Sequence, residues 1–135
     1  MKYINYKASI TATAKQDYYE AEDYIAKKLY SHIGVVNLAK SFREAIKDLK
    51  FFPTKYPLCN DDLLRVWGIR FVPVKNYLLF YVVCEDEQAV YIIRFLYGKR
   101  DWQNILRKQI ESGEAEYAPY LTTTYVQEAV EKYRK

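Results

Sequence analysis

Residues 76–100 read NYLLFYVVCEDEQAVYIIRFLYGKR, and this stretch decides the fold. From Asn76 to Cys84 both alternating sets are apolar: Tyr77, Leu79, Tyr81 and Val83 on one, Leu78, Phe80, Val82 and Cys84 on the other. A strand apolar on both sides belongs in the interior of a sheet covered on both faces. Glu85-Asp86-Glu87 supplies a turn, and Ala89 to Tyr97 forms the next strand. Upstream, Leu64, Val66, Ile69, Phe71, Val72 and Val74 predict extended chain around Gly68, with Pro73 limiting pairing or marking a bulge. Three consecutive strands on short connections make an antiparallel meander.

Working outward to the N-terminus, Ile4, Tyr6, Ala8 and Ile10 alternate with polar residues, the period of a strand with one buried face. Thr13 and Gln16 have the spacing of a capping box, and Ala14, Tyr18, Ala21, Ile25 and Leu29 then predict an amphipathic helix over 14–29. After a break at Ser31 to Gly34, a second apolar stripe runs through Val35, Leu38, Phe42, Ala45, Ile46 and Leu49 and stops before Pro53. Residues 53–62 read as a loop. Toward the C-terminus, Trp102, Ile105 and Leu106 predict a short closing helix over 101–107. The order is β-α-α-β-β-β: an α+β domain over residues 1–110, with an antiparallel sheet packed against a helix hairpin. Residues 111–135 read as an appended tail, with a helix capped near Thr122 to Thr124 and carrying Tyr125, Val126, Ala129, Val130 and Tyr133.

A length of 135 residues suits one core, and four glycines and four prolines spread along the chain exclude collagen-like and broadly disordered classes. No apolar run is long enough to span a bilayer and no signal-peptide block opens the chain, so the expected compartment is the cytoplasm, without membrane contact. Cys59 and Cys84 form no C-x-x-C pair, which suggests neither a disulfide framework nor a zinc module. The net charge of +4 is unevenly placed: +2 over residues 1–64, +4 over 65–108 and −2 over 109–135. A basic central segment suits polyanions or an acidic protein partner.

Conventional catalytic constellations are nearly absent. The single histidine, His32, falls at the turn between the helices, no phosphate-binding glycine loop is present, and no metal or cofactor is expected. What remains is a basic and aromatic set near the ends of the meander strands: Arg65, Arg70, Lys75, Arg94, Tyr97, Lys99 and Arg100, with Tyr77, Tyr81 and Trp102 close in sequence. A concave sheet face presenting these cations suits phosphate contacts, and rings among them can stack on unpaired bases. Arg94 and Tyr97 have opposite parity on their strand and, unless it bulges, share no role. The competing structural reading pairs Arg94 with an internal carboxylate and leaves Lys99 and Arg100 solvated.

Several segments are familiar in order: the Tyr6 to Ile10 strand, Pro53-x-x-x-Pro57-Leu58, Gly68-Ile69-Arg70, Asn76-Tyr77-Leu78-Leu79-Phe80-Tyr81, and Arg94-Phe95-Leu96-Tyr97-Gly98-Lys99-Arg100-Asp101-Trp102. Together, over about residues 3–108, they resemble the RelE/ParE superfamily of bacterial type II toxins. The resemblance implies a toxin neutralised by a cognate antitoxin, which in turn represses the shared operon. RelE-like members are mRNA interferases, endoribonucleases acting with the ribosome; ParE-like members poison DNA gyrase without known hydrolytic chemistry. Ribosome-dependent mRNA cleavage is the first expectation, with Arg100 matching the late-strand catalytic arginine and Arg70 a looser catalytic match. Arg65, Lys75, Arg94, Tyr97 and Lys99 would then contact nucleic acid, and gyrase poisoning is the alternative. The chain departs from RelE-like sequences at Leu78, where they place a catalytic arginine, and from ParE-like ones at Tyr97, where a histidine often stands. For the tail a plain appendage is the first expectation, and folding over the basic surface in imitation of an antitoxin segment is the alternative.

Overall fold

A computed structural model describes residues 5–111. Ile4 and the expected C-terminal helix and its antitoxin-like placement lie outside them. The chain runs β1 (Lys7–Ile10), α1 (Ala12–Lys27), α2 (His32–Phe51), α3 (Asp62–Val66), β2 (Arg70–Val74), β3 (Tyr77–Cys84), β4 (Ala89–Tyr97) and α4 (Trp102–Glu111). None of the described helices is long and apolar enough to cross a membrane.

The three consecutive strands form the expected meander, β2 on β3 and β3 on β4, both antiparallel. β1 adds to the far side of β4 in parallel, so the sheet has the order β1-β4-β3-β2 and is mixed as a whole. β3, apolar on both sides, takes an interior position. At its tip Glu87 accepts hydrogen bonds from Cys84 Sγ and the Tyr91 hydroxyl, and these bonds hold its carboxyl below the usual range.

Two expectations about element starts give way to better caps. α1 is capped by Thr11, not Thr13: the Thr11 hydroxyl accepts from the Ala14 N–H and donates to the Ile93 carbonyl, so one side chain ends β1, starts α1 and ties both to the sheet. Leu64 and Val66, expected to be extended, lie in α3. The Asp61 carboxylate accepts from the backbone N–H groups of Leu63 and Leu64, and that cap outweighs the extended preference of a short apolar run. The closing helix α4 also extends beyond its expected end at Arg107, to Glu111.

Apolar side chains pack on both sheet faces. The α1–α2 hairpin buries Leu38, Phe42 and Leu49 against Val72, Leu79, Tyr81, Ile92 and Phe95. On the other face α3 and α4 bury Leu63, Leu64, Trp67, Leu106 and Ile110 against Phe80, Val82, Ile93 and Leu96. The second face, expected to be an open concave surface lined with cations, is therefore a hydrophobic layer. Burying large aliphatic and aromatic side chains there contributes on the order of 1.5–3 kcal/mol each, which solvated lysines and arginines on the same surface would forfeit.

Alternation along β4 breaks once. Phe80 faces Arg94 but Tyr81 faces Ile92, leaving Ile93 as an extra residue. Ile92 faces the hairpin core and Ile93 the opposite one, and the extra residue leaves Leu96, three positions on, on the same face as Ile93. It lies before Arg94, so Arg94 and Tyr97 keep opposite sides.

Candidate functional site

β1 ends opposite Ile92, so the remainder of β4 is a free edge at which α1 and α4 meet. There Asp17, buried on the apolar stripe of α1, accepts from Arg94 Nε at 2.7 Å and Arg94 Nη2 at 3.0 Å, and from the Phe95 backbone N–H at 2.9 Å. Arg94 Nη1 also donates to Gln109 of α4. This is a bidentate, enclosed pair that satisfies the sheet edge and connects two helices to it. Arg94 is thus held inside the structure. Asp17 has a signal in the sequence that the reading of the stripe passed over: it stands three residues after Ala14 and four before Ala21, and a carboxylate on a buried helix face demands a cation.

The other basic residues lie in different places. Arg65 is exposed on α3, and Lys99 is exposed after β4. Arg70 sits at the start of β2 on the hairpin side and donates to the Tyr56 carbonyl, next to the point where the Tyr81 hydroxyl donates to the Pro53 carbonyl. Lys75 lies five residues on, at the opposite end of the strand, roughly 16 Å away at the usual rise per residue. Leu78, at the position where RelE-like sequences have an arginine, packs on the α3–α4 face, away from Tyr77.

Lys75, Tyr97 and Arg100 do come together. They line a cleft of about 720 Å³ between the tip of the helix hairpin, the β2–β3 turn and the end of β4. The hairpin contributes Tyr24, Ile25, Leu29, Asn37 and Leu38; the β2–β3 turn adds Asn76 and Tyr77. Each wall has a local cause. Tyr30, with φ of 50°, breaks α1 from α2, and the Ser31 hydroxyl then caps α2 by accepting from the Gly34 N–H. A Cβ on Gly34 would stand 2.8 Å from Ile25 Cγ2, so glycine lets α2 start close against α1. Across the cleft, the Gly98 N–H donates to the Asn76 carbonyl at 2.8 Å, fixing the end of β4 on the turn before Arg100 leaves it.

The aromatic wall is prearranged. Tyr77 stacks on Phe95 with ring centroids 5.0 Å apart and meets Tyr97 edge-on at 5.7 Å. Burial pushes the Tyr77 hydroxyl pKa up, and the neighbouring phenols of Tyr24 and Tyr97 add to the rise. Tyr24 and Asn37 were not distinguishable as site residues by spacing, although Tyr24 is an aromatic off the α1 stripe. Among the described residues no group of three or more histidine, cysteine or acidic side chains is placed to hold a metal ion.

Comparison with known proteins adds a family. The model of the ParE toxin of the type II toxin-antitoxin system parDE matches residues 8–102. Among solved structures, the fold is similar to a chain of the RelBE2 toxin-antitoxin complex from Mycobacterium tuberculosis, with a TM-score of 0.50 and 21% identity over 71% of this chain and 94% of that one. No curated protein sequence matches the chain.

Proposed function

Since the chain belongs to the ParE toxin family of type II toxin-antitoxin systems, we propose that it arrests growth by binding its target, DNA gyrase, and not by cutting RNA. One observation carries this reading: the two arginines expected to be catalytic do not converge, since Arg100 lines the cleft with Lys75 while Arg70, at the start of β2, does not. Electrostatic catalysis needs preorganised donors within hydrogen-bond distance of one developing oxyanion. Arg70 is bound to the Tyr56 carbonyl, Arg94 is bound by Asp17, and position 78 presents a leucine to an apolar layer. The partner that neutralises the toxin is a cognate antitoxin, in keeping with the family.

Ribosome-dependent mRNA cleavage is the second reading, favoured by the gathering of Lys75, Tyr97 and Arg100 in one cleft. A paired assay separates the two. With purified toxin, inhibition of gyrase supercoiling and intact mRNA on translating ribosomes is the expected result. Codon-phased mRNA cuts that disappear in Arg100→Ala or Arg70→Ala, with gyrase unaffected, would overturn the proposal.

A further inference from the structure

We infer that the cleft between the hairpin tip and the β2–β3 turn is a binding site for a small phosphorylated aromatic ligand of the nucleoside monophosphate class. Its volume of about 720 Å³ lies inside the range of small-molecule sites. Charge selects an anion. Among the described residues, Lys75 and Arg100 are the charged side chains lining the cleft, and no carboxylate lines it. Lys27, Lys55, Arg94 and Arg107 each take an acidic partner, but neither Lys75 nor Arg100 forms an ion pair among the described residues. Two unneutralised cations facing one cavity suit a phosphate monoester, with the arginine able to bind it through two N–H groups.

The walls select a planar group. Tyr24, Tyr77 and Tyr97 line the cleft together with Ile25, Leu29 and Leu38, and its two asparagines, Asn37 and Asn76, are of a type that carries both donors and acceptors for the edge of a heterocycle. An aliphatic anion would use the cations alone, whereas a base would also contact the rings. Because Tyr77 is already stacked on Phe95 and Gly98 is already bonded to Asn76, little ordering opposes binding. The site is independent of the gyrase reading, since it concerns a small ligand and a surface that reading does not invoke.

The test is a titration of the ¹⁵N-labelled full chain with CMP and AMP, followed by amide shifts. Parallel titrations use inorganic phosphate, cytidine, and a short 5′-phosphorylated oligonucleotide. The monophosphates are expected to move the amides of Asn37, Tyr77, Tyr97 and Gly98, and to bind at least about tenfold more tightly than phosphate or nucleoside alone, since each of those lacks one half of the recognition. Arg100→Gln and Lys75→Asn should each weaken monophosphate binding by roughly tenfold. Asparagine is the right replacement at Lys75, whose φ of 56° a β-branched residue would resist. Amide dispersion like that of the parent verifies that both variants are folded. Equal binding of inorganic phosphate, binding unchanged in both variants, or binding of the oligonucleotide alone would each overturn the assignment.

Discussion

Arg94 and Asp17 show how one pair of side chains closes a structure. The strand edge beyond Ile92 would otherwise expose an unpaired backbone N–H, and Asp17 accepts it while neutralising Arg94. Removing one partner leaves the other buried and uncompensated, so Arg94→Ala is expected to lower stability by about 3–5 kcal/mol in urea unfolding. Arg94→Lys should recover only part of that, because an ammonium cannot reproduce the bidentate contact with Asp17. By contrast Arg100→Ala, at an exposed position without an ion pair among the described residues, should leave the free energy of unfolding within about 0.5 kcal/mol of the parent. A loss of stability in Arg100→Ala comparable to that in Arg94→Ala would refute the distinction between the internal and the free arginine.

At the scale of elements, the short helix α3 depends on Asp61. Its carboxylate caps the helix and accepts from Arg107 Nη1 of α4 at 2.6 Å, so a single side chain sets both helices on the second sheet face. Asp61→Ala should cost about 2 kcal/mol, combining a lost cap with a lost charge-assisted bond, and Asp61→Asn, which keeps a capping oxygen, should cost less. Denaturant titration of the two variants checks the order. The same element decides which parts of the sheet are accessible: with α3 and α4 seated, Phe80 is fully buried and Leu78 partly so. The hairpin face is closed likewise, and Leu79→Asp, which puts a charge at a fully buried position against α2, should abolish folding as seen by loss of amide dispersion.

For the whole molecule, the acidic hydrogens of buried Cys59 and Tyr81 and half-buried Tyr18 set the alkaline limit. Burial, with a smaller contribution from the Asp61 charge, pushes the Cys59 thiol up to about 12, and burial also raises Tyr18 and Tyr81. Each group is held protonated in the folded chain more firmly than in the unfolded one. Their contribution to stability is therefore complete below the unfolded-state values, near pH 9–10 for cysteine and tyrosine, and is lost as pH rises toward the folded-state ones. The urea midpoint should be flat from pH 7 to 8.5 and fall between pH 9 and 11, and Cys59→Ala should remove the first part of the fall. A midpoint that rises over that interval would refute the assignment. Native Cys59 should also react with thiol reagents at pH 8 only at the rate of opening.

The strand and helix order was readable in the chain because period is a local property: apolar alternation in Tyr77 to Cys84 and the three- and four-residue spacing from Leu38 to Leu49 depend only on neighbours. The resemblance carried by Gly98-Lys99-Arg100 and its flanks was local as well. Caps competed at short range, so Thr11 over Thr13 and the helix at Asp62–Val66 were settled by which side chain found backbone donors in three dimensions. The candidate site was the least legible. Lys75, Tyr97 and Arg100 belong to one cleft while Arg70 and Arg94 do not, and no spacing along the chain separates them. That division follows from strand register, from the bulge at Ile93 and from the layer of α3 and α4, all of them contacts between residues distant in sequence. Composition along the chain determines which groups carry charge; only the folded arrangement determines which of those charges remain unpaired and face the same space.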